Sequence, residues 1–300
     1  MLNPATGAPY ESWQELFASS DYILVLIMFS AAAVLLVMPI FYGIKSYKRF
    51  YPRALRPEYM LYVGQMSYYQ RLSPLEQKRF AIRCQIFINT KTFIPRGGKG
   101  FVLVPEMIAK IAASAVEISF GFPKMGFEHF SRILIYPTDY YSRITRQYHK
   151  GEVNVRGMIV LSWSSFQDGY AKDDDGINLA IHEMAHALKL ENRIENGDYQ
   201  FLNAQLMKAL RDEFQRLSTL QSPAESTLIR AYALTNIHEF FAVLCENFFE
   251  RPSALQHEQP QLYSIISRLL MQNPLAQNEM SIAPSNSYAM SDFSGPIKRN

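Results

Sequence analysis

Cysteine is scarce in this 300-residue chain, which holds only Cys84 and Cys245, far apart in sequence. Two thiols cannot build a disulfide framework, and the absence of a C-x-x-C pair excludes a cysteine-based metal site. The pattern suits a reducing compartment, with both thiols buried as small apolar side chains. The net charge is only +3. Outside one short region there is no basic tract, so the footprint of nucleic-acid binding is missing. No internal repeat recurs, which excludes a solenoid. The glycine-rich stretch Arg96-Gly97-Gly98-Lys99-Gly100 lacks Walker spacing and a Lys-Ser/Thr end. It reads as a turn rather than a phosphate cradle. Asp173, Asp174 and Asp175 lack the spacing of a calcium loop. Standing before an apolar helical run, they read as caps that offset the positive end of its dipole.

Long apolar runs are also missing, with one exception. Ile23 to Ile44 carries no charge and has about the ~20 residues needed to cross a bilayer core. The preceding stretch holds Glu11, Glu15 and Asp21 and no basic residue, which argues against a cleaved signal peptide. Pro39 near its end is tolerated in a membrane helix. Lys45, Lys48, Arg49, Arg53 and Arg56 follow, and the positive-inside rule places that side in the cytoplasm. Tyr22, Tyr42, Tyr47 and Tyr51 suit the two interfaces. The predicted organisation is a short extracytoplasmic tail (1–22), a single membrane anchor (23–44), a basic linker (45–57), a globular domain (58–273) and a disordered tail (274–300). The topology that follows is a single span with the domain in the cytoplasm. A hydrophobic content of 48% supports a packed core for that domain.

Within the domain, Ser73-Pro74 is a good N-cap and first-turn pair for a helix over Leu75–Thr90, and Pro105–Ala115 reads as a second helix. Arg132–Tyr136, Glu152–Arg156 and Met158–Trp163 read as short strands. Strands followed by helices predict an α+β domain with a small mixed sheet packed on the helix that comes next. The strand nearest that helix, Met158–Trp163, is the candidate sheet edge for adding a peptide.

Histidine is scarce too, with six in the chain, yet two of them stand in His182-Glu183-Met184-Ala185-His186. Residues four apart on a helix share one face, so both imidazoles can grip one metal ion. Glu183 is then beside the ion, placed to accept a proton from an attacking water. A catalytic zinc keeps three protein ligands and one open position. The extension HxxGxxH is absent, because Lys189 and Asn192 stand at its Gly and His positions. A later carboxylate must therefore supply the third ligand. Candidates are Glu191, Glu195, Asp212, Glu213, Glu225, Glu239 and Glu246. Asp212 and Glu213 sit among Lys208 and Arg211 on what reads as a solvated face. Glu239 opens a strongly apolar helix and needs a partner, for which a metal ion serves. Asn236-x-x-Glu239 is equally a capping-box pattern that would use Glu239 locally. Glu246, two turns on, is a second ligand candidate or a support for a ligand imidazole.

Asn178–Leu188 (NLAIHEMAHAL) followed by Ala231–Phe249 (AYALTNIHEFFAVLCENFF) resembles the Mlc titration factor A family of bacterial zinc peptidases. Arg71–Phe80 and Arg132–Tyr140 agree with it, and the likeness covers roughly residues 70–272. The resemblance implies a zincin-like fold, one Zn2+ held by His182, His186 and Glu239, Glu183 as catalytic base and Tyr232 facing the site. It implies hydrolysis of peptide bonds in a peptide or protein substrate. The family has a soluble member with aminopeptidase-type activity that binds the repressor Mlc, so a cytoplasmic regulatory protein is a further expected partner. The lipid bilayer is another, through residues 23–44, which depart from that soluble member. The alternative function is a membrane-tethered regulatory module that sequesters a cytoplasmic protein such as a transcriptional repressor, with little or no proteolysis.

Overall fold

A computed structural model gives the architecture and describes residues 7, 9, 20–52, 54–98, 100–142, 146–172, 174–194, 201–219 and 228–276. The chain divides into two compact units, Met1–Pro52 and Arg53–Asn300. The first contains helix α1 (Ser20–Phe50), 31 residues with Pro39 inside it. At 1.5 Å per residue it is about 46 Å long. Its segment Leu26–Ile44 is long and apolar enough to cross a membrane, and none of it is buried within the protein. Leu24, Phe29, Leu35 and Leu36 all project outward. An exposed apolar surface of that length is stable only where lipid or another apolar partner covers it.

The second unit is a mixed α+β domain. It opens with α2 (Pro57–Val63), α3 (Ser67–Gln70) and α4 (Pro74–Thr90). At the start of α4, Ser73 and Glu76 form a complete capping box with Pro74 in the first turn. Then come β1 (Thr92–Pro95), α5 (Pro105–Ser119), β2 (Arg132–Tyr136), the hairpin β3 (Tyr140–Ser142) and β4 (Gln147–His149), β5 (Gly151–Asn154) and β6 (Met158–Ser162). Helices follow: α6 (Trp163–Ala171), α7 (Leu179–Arg193), α8 (Ala204–Thr219), a 3-10 turn (Ala231–Thr235), α9 (Ile237–Glu250), α10 (Pro252–Glu258) and α11 (Pro260–Leu270). Helix α5 runs four residues past the expected end at Ala115 because the chain stays buried to Ser119, Glu117 included. Pro274–Ala276, expected as the start of a disordered tail, is helical, and Leu275 packs against the core. The rest of that tail, and most of the expected N-terminal tail, lie outside the described residues.

The main sheet has the order β1-β2-β6-β5. β1, β2 and β6 are parallel, and β5 is antiparallel to β6 with Gly151 opposite Leu161 and Val153 opposite Ile159. Gly157 closes the β5–β6 turn at φ +75°, with its N–H donating to the Asn154 carbonyl at 3.2 Å. That left-handed conformation favours glycine. The strand expected at the edge, β6, is thus an interior strand paired on both sides. Among the described residues the strand at that end of the sheet is β5, because the tight turn folds it back along the edge of β6 that β2 leaves free. Ile133, Ile135, Ile159 and Leu161 are buried in the core, as are Met184, Ala187 and Leu188 of α7. Helix α9 is buried continuously from Phe240 to Phe249. It packs closely against α7.

Candidate metal centre

Helix α7 starts at Asn178, whose side-chain oxygen accepts from the Ile181 N–H at 3.1 Å. Among the described residues, the aspartates ahead of it do not cap it. Asp175 instead accepts from Ile177 N–H at 2.9 Å, and Asp173 lies outside the described residues. One turn of helix stacks His182 under His186, with ring centroids 4.6 Å apart and nearly perpendicular. Their Nε2 atoms are 3.0 Å apart.

Helix α9 brings the third group. Asn236 caps it by accepting from the N–H groups of His238 and Glu239, at 2.8 and 3.1 Å. The cap uses the backbone of Glu239, and its carboxylate turns to the histidines. Glu239 Oε2 is 3.0 Å from His182 Nε2 and Oε1 is 3.4 Å from His186 Nε2. The ligand and capping readings of this residue are therefore compatible. Lys189, seven residues beyond His182 on α7, donates to the Ile237 carbonyl at 2.8 Å and ties the two helices beside Glu239. Burial, with Arg193 and Arg211 nearby, lowers its pKa to about 8.

His182, His186 and Glu239 each offer one donor atom, and all three lie within 4.8 Å of one another. Tetrahedral ligation at ~2.0–2.1 Å places neighbouring donors about 3.3 Å apart, so the observed spacings fit one small cation. The proton inventory fits as well. His182 Nδ1 is 2.7 Å from Glu246 Oε1, and a carboxylate can only accept there. In its neutral form His182 therefore has its Nε2 lone pair free for a cation at the centre; without one, a proton on Nε2, shared with Glu239 at 3.0 Å, takes that place. Burial lowers the His182 pKa, but hydrogen bonds to Glu239 and Glu246 outweigh it and leave it at about 10. Burial also works against the Glu239 carboxylate, yet hydrogen bonds from both histidines hold its pKa far below the usual range.

Glu246 is buried and is not one of the three converging donors. Besides His182, it accepts from the Asn178 N–H at 2.8 Å and, with both oxygens, from Arg230 at 3.0 Å. Such a partner fixes the tautomer and direction of a ligand imidazole. Of the other carboxylates, Glu191 accepts the His129 N–H, and Asp212 pairs with Lys208. Glu213, expected on a solvated face, is buried and pairs with Arg216, because its face of α8 packs on the domain. Glu195 and Glu225 lie outside the described residues.

Glu183 is 6% exposed, and its Oε2 has no hydrogen-bond partner. Burial pushes its pKa up to about 8; His182 opposes the shift, while Glu239 and Glu152 add to it. The backbone of β5 lies directly against it. A Cβ on Gly151 would sit 2.5 Å from the Glu183 carboxyl carbon. Glycine at the start of the strand thus leaves room for the carboxylate, a relation no local pattern signals. Tyr232, on the 3-10 turn, is half exposed, with its ring 6.3 Å from that of His182. Burial, then a hydrogen bond to Glu239, raises its hydroxyl pKa. Two hollows adjoin the cluster. One of about 580 Å³ is lined by Tyr148, Gly151, His182, Glu183, Arg230 and Tyr232. The other, about 240 Å³, is lined by Val153, His186, Leu190, Arg193, His238 and Glu239.

Residues 46–270 match the family described as glucose-regulated metallo-peptidase M90. The chain belongs to this family. An uncharacterized protein of Synechocystis is 30% identical over 249 residues, 76% of this chain and 88% of its own length. Proteins named Mlc titration factor A from Yersinia pestis and Yersinia pseudotuberculosis are 31% identical over 231 residues, 69% of this chain and 82% of theirs. The M90 match begins at residue 46, just beyond the apolar segment Leu26–Ile44.

Proposed function

We propose that the protein is a membrane-anchored zinc peptidase, with residues 23–44 in the inner membrane and the domain of residues 58–273 in the cytoplasm. The basic flank after the span supports that orientation. Residues 45–57 serve as linker, and residues beyond 273 as a tail. The observation that carries the hydrolytic reading is Glu183: a buried carboxylate oxygen without a partner, beside three converging donor atoms. A purely structural metal site has no use for such a group. Two histidines and a carboxylate form a donor set suited to catalytic zinc.

His182, His186 and Glu239 hold the ion in this reading. Zinc, when bound, supplies Lewis acidity that brings the pKa of a water toward ~7 and polarises a carbonyl. Glu183 accepts a proton from the attacking water and delivers it to the leaving amine. A cation in the cluster draws its pKa down from the metal-free value, into the range of a base at neutral pH. The Tyr232 hydroxyl donates a hydrogen bond to the substrate oxygen as negative charge develops there. Glu246 and Arg230 hold His182 in place.

A second reading is regulatory capture of a cytoplasmic protein at the membrane. The name of the Yersinia relatives, a titration factor, speaks for this reading more directly than for hydrolysis. One experiment addresses both. The full-length protein in detergent is assayed for bound metal by mass spectrometry and for cleavage of a peptide library, beside Glu183→Gln. Equimolar zinc in both proteins and cleavage by wild type alone is the expected result. Zinc without cleavage in either leaves capture as the function.

A further inference from the structure

We propose that a second pocket, beside the start of α7, binds a small zwitterion: a free α-amino acid with a short apolar side chain. Neither zinc nor hydrolysis enters into this. The pocket shares no lining residue with the two hollows at the donor cluster.

Arg71 after α3, helices α5 and α6, the start of α7 and the end of α9 meet around a volume of about 230 Å³. The charged residues that line it are Arg71 and Lys110 on one side of the balance, Glu117 and Glu250 on the other. Lys110 and Glu117 stand seven residues apart on α5 and so share one face of it. Lys110 is paired with Glu106 at 2.6 Å. Among the described residues, Arg71, Glu117 and Glu250 form no ion pair. Arg71 and Glu250 are nonetheless near enough for their charges to act on Glu117. Charges of both signs thus border one pocket without closing on each other.

Glu117 decides the class of ligand. It is 5% exposed, yet the one hydrogen bond to its carboxylate comes from the Tyr170 hydroxyl at 3.4 Å. That hydroxyl also lies 2.7 Å from Ser114 Oγ, so its single proton is shared. The other oxygen of Glu117 accepts no hydrogen bond, although an ionised carboxylate has about four positions for one. Glu250 is better served, accepting from Gly176 N–H at 3.0 Å and from Asn178 Nδ2 at 2.9 Å. Neither carboxylate has a countercharge, and a buried anion needs one. An ammonium group supplies that charge together with three donors. Across the pocket, the Arg71 guanidinium suits a carboxylate, which it can hold with two parallel hydrogen bonds. A lone amine or a lone acid would match only half of this arrangement.

Size and walls narrow the choice. At ~30 Å³ per water in the liquid, the pocket has room for roughly eight to ten non-hydrogen atoms. Met66, Ile181 and Phe249, all buried, give it an apolar wall. Valine and leucine meet the charge, the size and the wall together. The assignment is to binding and not to chemistry, since no nucleophile or metal-ligand cluster adjoins the pocket among the described residues.

The test titrates the full-length, zinc-loaded protein in detergent with L-leucine by calorimetry. Two analogues accompany it: 3-methylbutylamine, which lacks the carboxylate, and 4-methylpentanoate, which lacks the ammonium. Saturable binding of leucine at millimolar concentration or below is expected, with each analogue about tenfold weaker or more. Glu117→Gln and Arg71→Gln should each weaken leucine by about tenfold or more, with zinc content unchanged. Arg71 is partly exposed at the end of a short helix, so its variant keeps the test decisive should Glu117→Gln fail to fold. The absence of saturable binding overturns the proposal. Leucine held by either folded variant as tightly as by wild type sits elsewhere, at the metal centre for instance, and overturns it too. An analogue that binds as well as leucine overturns the zwitterion assignment.

Discussion

Two buried carboxylates lie against different faces of α7. Ile181 of α7 lines a separate pocket of about 230 Å³ that also holds Glu117 and Glu250. Glu183, two residues on and about 200° around the helix, faces the open cleft. Burial pushes the pKa of each of Glu117 and Glu183 up to about 8. The likeness ends there. Glu117 receives the Tyr170 hydroxyl at 3.4 Å, and the charge of Arg71 tempers its shift. Glu183 Oε2 has no partner and adjoins the metal-binding cluster. A raised pKa alone therefore does not mark a site for chemistry. What marks it is an unused lone pair beside converging donors and an open cleft.

Four substitutions sharpen that contrast. Glu183→Gln has the largest expected effect, a loss of hydrolysis of ~10²–10⁴-fold with metal content unchanged. Residual cleavage near the wild-type rate, read by mass spectrometry of peptide products, sinks the assignment of the base. Glu246→Gln removes the charged partner of His182 and should weaken metal affinity ~10–100-fold, measured by competition with a chelator. Gly151→Ala drives a methyl group into the Glu183 carboxyl. It should destabilise the domain by about 1–3 kcal/mol and slow hydrolysis while metal still binds. An unchanged melting temperature and rate would show that β5 does not set the position of Glu183.

Glu117→Gln leaves the metal centre untouched, and its effect is a matter of pH. The ordinary glutamate value is 4.5, and the folded value is about 8. Below the first, both states hold the proton and stability is complete. As pH rises between the two, the unfolded chain gives up a proton that the folded chain keeps. Stability then falls by at most ~1.4 kcal/mol per pH unit, and the loss is complete above the folded value. Glu117→Gln should melt higher than wild type at pH 8 but not at pH 4.5, with metal affinity unaffected. A variant that melts in parallel with wild type across that range would show that Glu117 is ionised in the fold.

Much of the centre is legible in the chain because its signals are local. The His182–His186 spacing is one helical turn, and Ser73-Pro74 announces α4. The strands at Arg132–Tyr136 and Met158–Ser162 are short β-branched runs. Other features carry no local signal. The β3–β4 hairpin and the short helices α2, α3 and α6 are held by tertiary packing. Tyr140, for instance, stacks on Tyr136 at 4.5 Å. The edge strand is not legible in the chain, because alternation identifies a strand but not its neighbours. Glu213 reads as solvated from the charges beside it in sequence, but burial depends on what its helix packs against.

The sequence by itself determined the apolar segment with its basic flank, the two histidines and Glu183 on one helix, and a capped helix beginning near Glu239. Each is set by periodicity, charge or turn chemistry within a few residues. Only the tertiary structure decided that the Glu239 carboxylate meets both histidines while its backbone serves the cap. It alone placed Glu246 behind His182, Gly151 against Glu183, and β5 rather than β6 at the edge. Those relations join residues dozens of positions apart. They depend on how helices pack and strands order themselves around a shared core, which no short window of sequence contains.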